Sequence, residues 1–315
     1  MKLAFIFPGQ ASQYVGMGQD LRDRFPEVKA HYDLTDEILG TEISHLSFHG
    51  PLEELTRTEN TQPAIFAHSI AVLRLLQKEG LMPLVVAGHS LGEYTALVAA
   101  EVLPYETALP LVQLRGRLMQ EAGEKRPGTM AAVIGLSADQ VQELCARAVE
   151  AGVVQVANIN SPTQVVISGE ASGVERAMIL AKEAGAKRVI GLPVSGAFHS
   201  PLMASARESL AMALEKTEFR EPRVPVVANV TAQVMEKPEH IRELLVQQLV
   251  EPVRWSQSVL KMVEMGMELC LEVGPGNVLQ NLIRRIAPRV ETMGVDGVES
   301  LELALTRCAE DISQL

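Results

Sequence analysis

Short apolar runs alternate with longer segments of helical periodicity along most of the chain. The apolar runs have the length of buried strands and are bounded by Pro, Gly or polar residues. We predict strands at residues 2–7, 84–88, 224–229 and 268–273. We predict helices over residues 60–80, with Pro63 in the first turn, and over residues 91–103, 105–122 and 301–315. Strands that alternate with helices predict an α/β fold with a mostly parallel sheet.

The middle of the chain follows a different order of elements. We predict strands at residues 130–135, 153–158, 164–168 and 187–192, and helices at residues 138–151 and 171–185. The resulting order, βαββαβ, is typical of a ferredoxin-like unit. The unit opens after Pro127-Gly128 and closes at Pro193. We therefore predict a catalytic core formed by residues 1–125 and 196–315, with an inserted ferredoxin-like subdomain over residues 126–195.

The composition is that of a soluble globular protein. Of the 315 residues, 47% are hydrophobic and 21% are charged, which excludes a disordered or collagen-like chain. The formal net charge is −11, from 28 Lys and Arg against 39 Asp and Glu. A broad nucleic-acid surface needs clustered cations, so we expect no nucleic-acid partner.

The chain shows no sign of a membrane span, a disulfide framework or a zinc site. No run of about 18 apolar residues is present, and the N-terminal run is too short for a secretory signal. Cys145, Cys270 and Cys308 are odd in number and lack C-x-x-C spacing. We expect a cytoplasmic protein with reduced thiols, no membrane partner and no metal.

The strongest local signal is Gly88-His89-Ser90-Leu91-Gly92, which matches the G-x-S-x-G nucleophile elbow. A predicted strand precedes it and a predicted helix follows, as that motif requires. The glycines permit the strained turn that exposes the serine hydroxyl, and the N-terminus of the following helix favours negative charge nearby. Ser90 is therefore the candidate nucleophile, although a glycine-rich turn of this kind can also be an ordinary packing solution.

A serine hydroxyl needs a general base, and imidazole is the usual one. His199 is the best candidate because it lies in Gly196-Ala197-Phe198-His199-Ser200, a loop directly after the inserted segment, where a side chain can overhang a cleft. His89 adjoins the serine, but neighbouring side chains on a tight turn diverge. The remaining histidines have no accompanying signal: His31, His45, His49, His68 and His240.

Five motifs in order make the chain resemble one known family. They are Phe7-Pro8-Gly9-Gln10-Ala11-Ser12-Gln13, Gly88-His89-Ser90-Leu91-Gly92-Glu93-Tyr94, Gln113-Leu114-Arg115-Gly116, Gly196-Ala197-Phe198-His199-Ser200 and Glu272-Val273-Gly274-Pro275-Gly276. The sequence resembles the malonyl-CoA:acyl carrier protein transacylases of bacterial type II fatty-acid synthesis. This resemblance implies an α/β-hydrolase-like core that carries a ferredoxin-like insertion.

The resemblance also implies roles for five residues. Ser90 would attack the malonyl thioester and His199 would accept its proton. Gln10 and Leu91 would supply the two N–H groups of the oxyanion hole. A backbone carbonyl, here of Gln248, would orient the histidine in place of an acid, although the adjacent Gln247 leaves the register open.

Substrate recognition is implied for four further residues. Arg115 would bind the free carboxylate of the malonyl group through two parallel charge-assisted hydrogen bonds. Phe198 would crowd an α-methyl branch and so favour malonyl over methylmalonyl. Gln62 and Asn158 would line the cleft. Without the resemblance, Arg115 would be interpreted as a solvated helix residue, Gln62 as a helix-start residue and Asn158 as a strand-end cap.

The resemblance implies a ping-pong transfer of malonyl from malonyl-CoA, a substrate, to the phosphopantetheine thiol of holo acyl carrier protein. We expect no cofactor and a monomeric chain. The Gly274-Pro275-Gly276 turn has no following Lys-Ser/Thr pair, so it is not a nucleotide phosphate loop. A candidate docking surface, the basic rim, consists of Lys187, Arg188, Arg284, Arg285 and Arg289. The alternatives are a serine thioesterase, a noncatalytic carrier-binding scaffold and a related transferase with another acyl preference.

Overall fold

A computed structural model describes residues 2–194 and 196–312, with side chains as far as residue 309. The strands are β1 (Leu3–Phe7), β2 (Val85–Gly88), β3 (Thr129–Ile134), β4 (Val154–Ser161), β5 (Gln164–Gly169), β6 (Arg188–Leu192), β7 (Val226–Val227), β8 (Val234–Met235), β9 (Leu269–Val273) and β10 (Glu291–Val295). The helices are α1 (Gln19–Arg24), α2 (Pro26–Leu39), α3 (Ile43–His49), α4 (Leu52–Thr56), α5 (Thr58–Lys78), α6 (Gly92–Ala99), α7 (Tyr105–Lys125), α8 (Ala138–Ala148), α9 (Ala171–Glu183), α10 (Ala204–Glu215), α11 (Pro238–Gln248), α12 (Trp255–Glu264), α13 (Val278–Ile286) and α14 (Val298–Ile312).

The larger sheet has six strands in the order β10-β9-β1-β2-β7-β8. All neighbouring pairs are parallel except the pair that joins β8 to β7. The sequence-based prediction of an α/β fold with a mostly parallel sheet is therefore confirmed. The strand predicted at residues 224–229 forms only Val226–Val227, and the predicted set lacks β8 and β10.

The larger sheet is buried on both faces, as a run of five consecutive apolar residues in β1 requires. Phe5 and Phe7 face a cluster that includes the helix α5. Ala4 and Ile6 face the opposite cluster, which includes residues of α12 and α13. Helices therefore cover both faces of the sheet, and the carboxyl ends of its central strands meet at one edge.

The smaller sheet is antiparallel, with the order β4-β5-β3-β6. Together with α8 and α9 it gives the βαββαβ arrangement expected from the sequence. One face, which includes Val133 and Ile167, packs against these two helices. The other face, which includes Ala132 and Val166, packs against the core. A cleft between the two sheets follows from this arrangement.

Backbone hydrogen bonds also join the inserted sheet to the core. Asn158 of β4 forms an isolated parallel bridge with Val253. The Val253 amide donates to the carbonyl of Ala157 at 2.9 Å, and the amide of Ile159 donates to the carbonyl of Val253 at 2.9 Å. The division of the chain at residues 126–195 stays a prediction.

The ends of three helices differ from the predicted ends by a few residues. The helix α5 begins at Thr58, and Pro63 lies in its second turn. The helix α6 ends at Ala99, before the predicted end at residue 103. The C-terminal helix begins at Val298, and residues 313–315 of its predicted span lie outside the described residues. Among the described helices, none combines the length and the hydropathy needed to cross a bilayer.

Candidate active site

Ser90 lies on the turn between β2 and α6, at the carboxyl edge of the larger sheet. Its φ of +52° is a left-handed conformation that non-glycine residues rarely adopt. The flanking glycines are required by close backbone contacts. A Cβ on Gly88 would lie 1.9 Å from the carbonyl of Gly92, and a Cβ on Gly92 would lie 2.1 Å from the carbonyl oxygen of Phe7. The tight turn aims the serine side chain into the cleft.

His199 reaches Ser90 from the loop that follows the inserted sheet. The Ser90 Oγ and the His199 Nε2 are 2.9 Å apart. On the other side of the ring, Nδ1 is 2.7 Å from the carbonyl oxygen of Gln248. A carbonyl oxygen can only accept, so Nδ1 carries the hydrogen and donates it. Nε2 is left with a lone pair that can accept the Ser90 hydroxyl proton.

Burial keeps this imidazole neutral. His199 is 4% exposed. Desolvation by burial, followed by the positive charge of Arg115, lowers the pKa of His199 from 6.5 to about 3. The ring is therefore an unprotonated base at neutral pH.

Of the two adjacent glutamines Gln247 and Gln248, the structure places Gln248 beside His199. Gln248 is fully buried at the end of α11, whereas Gln247 is exposed. The carbonyl beside His199 is that of Gln248. The Gln248 amide Nε2 also donates to the carbonyl oxygen of Ser90 at 2.9 Å. Gln248 thus contacts both the candidate base and the candidate nucleophile.

Two backbone amides border the same space. Gln10 lies in the loop after β1 and Leu91 lies directly after the serine. Across residues 2–194 and 196–312, no acceptor is found for either backbone N–H. The Gln10 side chain donates to the Thr58 hydroxyl at 3.2 Å. Both amides are therefore free to donate to an oxyanion, and the roles of Gln10 and Leu91 in an oxyanion hole stay predictions.

Arg115 of α7 is buried beside the serine, with 1% of its surface exposed. Its Nη1 donates to Gln62 Oε1 at 2.7 Å. Its Nη2 donates to Gln248 Oε1 at 2.8 Å and to Ser90 Oγ at 3.0 Å. These acceptors are all neutral, and the described residues place no carboxylate within ion-pair distance of the guanidinium. The carboxyl that interacts with Arg115 electrostatically is that of the buried Glu93. A buried cation whose hydrogen-bond acceptors are all neutral favours an anionic ligand.

Glu93 and Asn229 belong to the same cluster, and no role was predicted for either residue from the sequence. Glu93 is 1% exposed and accepts from the Asn229 backbone amide at 2.8 Å and from the Gln248 side chain. The Asn229 side chain accepts from the Ser90 backbone amide at 2.7 Å and donates to the Gly88 carbonyl at 2.6 Å. Burial raises the pKa of Glu93 to about 7. These two residues hold the elbow and Gln248 in one hydrogen-bonded unit.

A cavity of about 260 Å³ opens between the two sheets and contains Ser90 and His199 in its wall. Phe198 and Asn158 line it, and both are about 6% exposed. Gln62 lies behind the wall, where Arg115 holds its side chain. Most of the remaining lining is apolar and comes from the inserted sheet and α13: Met130, Ala132, Val166, Leu192, Val278, Leu279 and Leu282.

Three of the other histidines have hydrogen-bond partners of their own. The His89 Nε2 is 2.9 Å from Asn160 Oδ1, so this ring points away from the serine. The His31 Nε2 is 2.8 Å from the carbonyl oxygen of Ala67, and the His68 Nε2 is 2.8 Å from Asp296 Oδ1. Only His199 among the described residues is placed to accept the Ser90 proton.

Two residues of the basic rim, Arg188 and Arg285, lie close to a residue that lines this cavity. Arg285 donates to the side chain of Gln164, a cavity-lining residue, at 2.8 Å. Gln164 aligns with Ile134 across the sheet, and Ile134 aligns with Arg188. All five rim residues are exposed, and the described part of the chain gives none of them a carboxylate partner.

Comparison with known proteins agrees with this geometry. Residues 4–303 match the family described as acyl transferase domain. The chain is 45% identical to the malonyl CoA-acyl carrier protein transacylase of Bacillus subtilis, over 98% of each chain. It is 43% identical to the Escherichia coli K12 protein of the same name, over 96% of this chain and 99% of that one.

Solved structures give the same result. The malonyl CoA-acyl carrier protein transacylase from Clostridium perfringens matches with a TM-score of 0.96 and 38% identity, over 100% of this chain and 99% of that one. A malonyl-transacylase in complex with its holo type II PKS acyl-carrier protein matches with a TM-score of 0.95 and 43% identity, over 98% of this chain and 100% of that one. The protein is therefore an acyltransferase that belongs to the malonyl CoA-acyl carrier protein transacylase family.

Proposed function

We propose that the protein transfers the malonyl group of malonyl-CoA to the phosphopantetheine thiol of holo acyl carrier protein, through a malonyl ester on Ser90. One observation carries this proposal. The buried guanidinium of Arg115, whose hydrogen-bond acceptors are all neutral, lies 3.0 Å from the Ser90 hydroxyl oxygen. A fixed positive charge beside the nucleophile suits an acyl group that ends in a carboxylate.

The first half-reaction forms the ester. Ser90 Oγ attacks the thioester carbonyl carbon while its proton passes to His199 Nε2. The tetrahedral oxyanion accepts hydrogen bonds from the backbone amides of Gln10 and Leu91, which are already oriented when the charge appears. The carbon–sulfur bond then breaks, and the departing CoA sulfur takes the proton back from Nε2. CoA leaves as a free thiol, so the step is balanced.

The second half-reaction reverses these roles. The phosphopantetheine thiol gives its proton to His199 Nε2 and its sulfur attacks the ester carbonyl carbon. The carbon–oxygen bond to Ser90 breaks, and Oγ recovers the proton. A histidine that acts as base and then as acid contributes about 10²–10⁴ to such rates. The same residues serve both half-reactions, so the transfer needs neither a metal nor a bound cofactor. Each chain carries all of these residues, so a monomer is sufficient for the reaction.

Arg115 explains the preference for malonyl. Two parallel hydrogen bonds from the guanidinium to the substrate carboxylate are charge-assisted, and they add to a cation whose hydrogen-bond acceptors in the free protein are all neutral. The carboxylate also offsets the positive charge that lowers the pKa of His199, which makes the imidazole a stronger base when the correct substrate is bound. Acetyl offers neither effect. Phe198, which lines the cavity beside His199, leaves little room for an α-methyl branch.

The basic rim supplies local positive charge for the phosphates of CoA and for an acidic carrier protein. The chain as a whole has a net charge of −11, so attraction at the cavity mouth has to overcome repulsion at longer range. Arg285→Glu is expected to weaken the apparent affinity for holo acyl carrier protein, more strongly at low salt. Arg147→Glu on α8 is the matched charge reversal. Equal effects of the two variants would remove the rim from the proposal.

The partition of the acyl group between carrier and water tests the function. Radiolabelled malonyl-CoA is mixed with the protein and with holo acyl carrier protein, and apo carrier serves as the control that lacks the thiol. We expect label on the holo carrier alone. Release of free malonate at the same rate with either carrier would indicate a thioesterase, and an absence of turnover would indicate a noncatalytic scaffold.

A further inference from the structure

Gln155 joins the inserted sheet to the backbone that carries the base. It lies on β4, and its side-chain nitrogen is 2.8 Å from the carbonyl oxygen of His199 and 2.8 Å from the carbonyl oxygen of Val250. A nitrogen between two carbonyl oxygens has to be the amide group, because only the NH₂ end of glutamine can donate. Both of its hydrogens are therefore used.

The two carbonyls belong to the two segments that orient the imidazole. One is the carbonyl of His199 itself. The other lies two residues after Gln248, whose own carbonyl accepts from His199 Nδ1. The Gln155 side chain thus fixes the spacing between the donor and the acceptor of the hydrogen bond that sets the tautomer of the base.

The backbone of His199 needs such support. Its φ is +55°, a left-handed conformation that is strained for a non-glycine residue and persists only where the surroundings hold it. The neighbouring Ser200 makes a local turn with Ala197, at 2.6 Å from its carbonyl oxygen. That turn is confined to the loop. Gln155 is the side chain that ties the His199 carbonyl to a strand of the inserted sheet.

We propose that Gln155 is a positioning residue for the transfer reaction, and that it holds His199 and the α11 end in the register that directs Nε2 at Ser90. The inserted subdomain then contributes more than a wall of the cavity, because it sets the orientation of the base. This inference rests on the proposed serine ester mechanism.

The alternative is that Gln155 only fills space in the cleft between β4 and the core. Three variants separate the two. Gln155→Glu keeps the shape but places a carboxylate, which cannot donate, against two carbonyl oxygens. Gln155→Met keeps the length without donors or charge. Gln142→Glu is the control for the new charge. Gln142 is an exposed residue of α8 and lines the same surface groove as Gln155, but it does not contact His199.

The first readout is the single-turnover rate of Ser90 acylation by malonyl-CoA from pH 5 to pH 8. Loss of two hydrogen bonds predicts a rate about ten- to a hundredfold lower for Gln155→Glu at pH 8. Its ratio to wild type is expected to rise as the pH falls, since a protonated carboxyl regains one donor. Gln155→Met is expected to show a lower rate with a constant ratio, and Gln142→Glu is expected to match wild type. The apparent affinity for malonyl-CoA is expected to stay within about twofold.

The second readout is the rate at which phenylmethanesulfonyl fluoride modifies Ser90, which needs the oriented base but no acyl-CoA. The same order of variants is expected. Gln155 variants that equal Gln142→Glu in both rates would overturn the inference, and if Gln155→Glu does not fold, Gln155→Met decides. Wild type that reacts with the fluoride but never with malonyl-CoA would instead refute the proposed function, while the fluoride rates would still test Gln155.

Discussion

Replacing Arg115 with alanine tests the link between the buried guanidinium and the acyl preference. In the free protein this residue donates to Gln62, Gln248 and Ser90. In the proposed complex it makes two charge-assisted hydrogen bonds to the malonyl carboxylate. Each such bond is worth about 1.5–3 kcal/mol, so the loss of both lowers kcat/KM for malonyl-CoA by about 10²–10⁴.

The assay is single-turnover acylation of Ser90 by malonyl-CoA and by acetyl-CoA, measured by intact mass. Structural damage from the truncated side chain would slow both substrates equally, so the informative quantity is the malonyl-to-acetyl ratio. That ratio is expected to fall by about 10²–10⁴ in Arg115→Ala, because acetyl has no carboxylate to lose. Arg117→Ala, on the same helix but with an exposed side chain, is expected to leave the ratio unchanged. An equal loss for both acyl groups in Arg115→Ala would show that the guanidinium does not set the acyl preference.

Three further outcomes are expected. Gly88→Ala is expected to abolish cooperative thermal unfolding, because its Cβ would lie 1.9 Å from backbone atoms. Gly191→Ala has open space around its Cβ and should melt within about 2 °C of wild type. Equal melting temperatures of the two variants would contradict the tight turn at Gly88. Asn229→Ala removes the acceptor of the Ser90 amide and is expected to slow acylation about tenfold or more with unchanged malonyl-CoA affinity, and a loss of affinity alone would argue against it. Burial raises the pKa of Glu93 from 4.5 to about 7. Between these two pH values the folded protein keeps the Glu93 proton and the unfolded chain has lost it, so the free energy of unfolding falls as the pH rises. The free energy of unfolding, measured in urea, is expected to fall across this pH range by about 3 kcal/mol more for wild type than for Glu93→Gln. A constant difference between the two proteins would contradict the raised pKa of Glu93.

The sequence was sufficient for the elements whose signal is local. The run of apolar residues in β1 and the glycines around Ser90 each specify one backbone arrangement, and both are found where expected. The order of elements between β3 and β6 was also legible, because each element there has its own period and turn residues. The edge strand β10 was not predicted, because it is half-buried and lacks an apolar run.

The cluster around the serine could be predicted only in part, since its members lie far apart in the chain. A G-x-S-x-G turn makes Ser90 the candidate nucleophile, and the loop that contains His199 makes it the candidate base. In contrast, Asn229 lies 139 residues from the serine whose amide it binds. Nothing in the local sequence marks Glu93 or Gln155 as more than ordinary helix and strand residues. Their positions become informative only when the fold brings their partners within reach.

Arg115 illustrates the same limit for charge. An arginine on an amphipathic helix is usually solvated, and the periodicity of α7 does not reveal which side faces the cleft. Its burial depends on α5, which supplies Gln62, and on α11, which supplies Gln248. Sequence resemblance, not periodicity, pointed to this residue.

In the proposed mechanism the malonyl group is held on Ser90 after it leaves CoA and before it reaches the carrier protein. The most direct test is to mix the protein with malonyl-CoA alone, quench, and locate the added mass by peptide mass spectrometry, with Ser90→Ala as the control. We expect one malonyl group on the peptide that contains Ser90, and its quantitative removal when holo acyl carrier protein is added before the quench. Transfer to the carrier at an undiminished rate by Ser90→Ala, or a stable malonyl group on another residue, would contradict it.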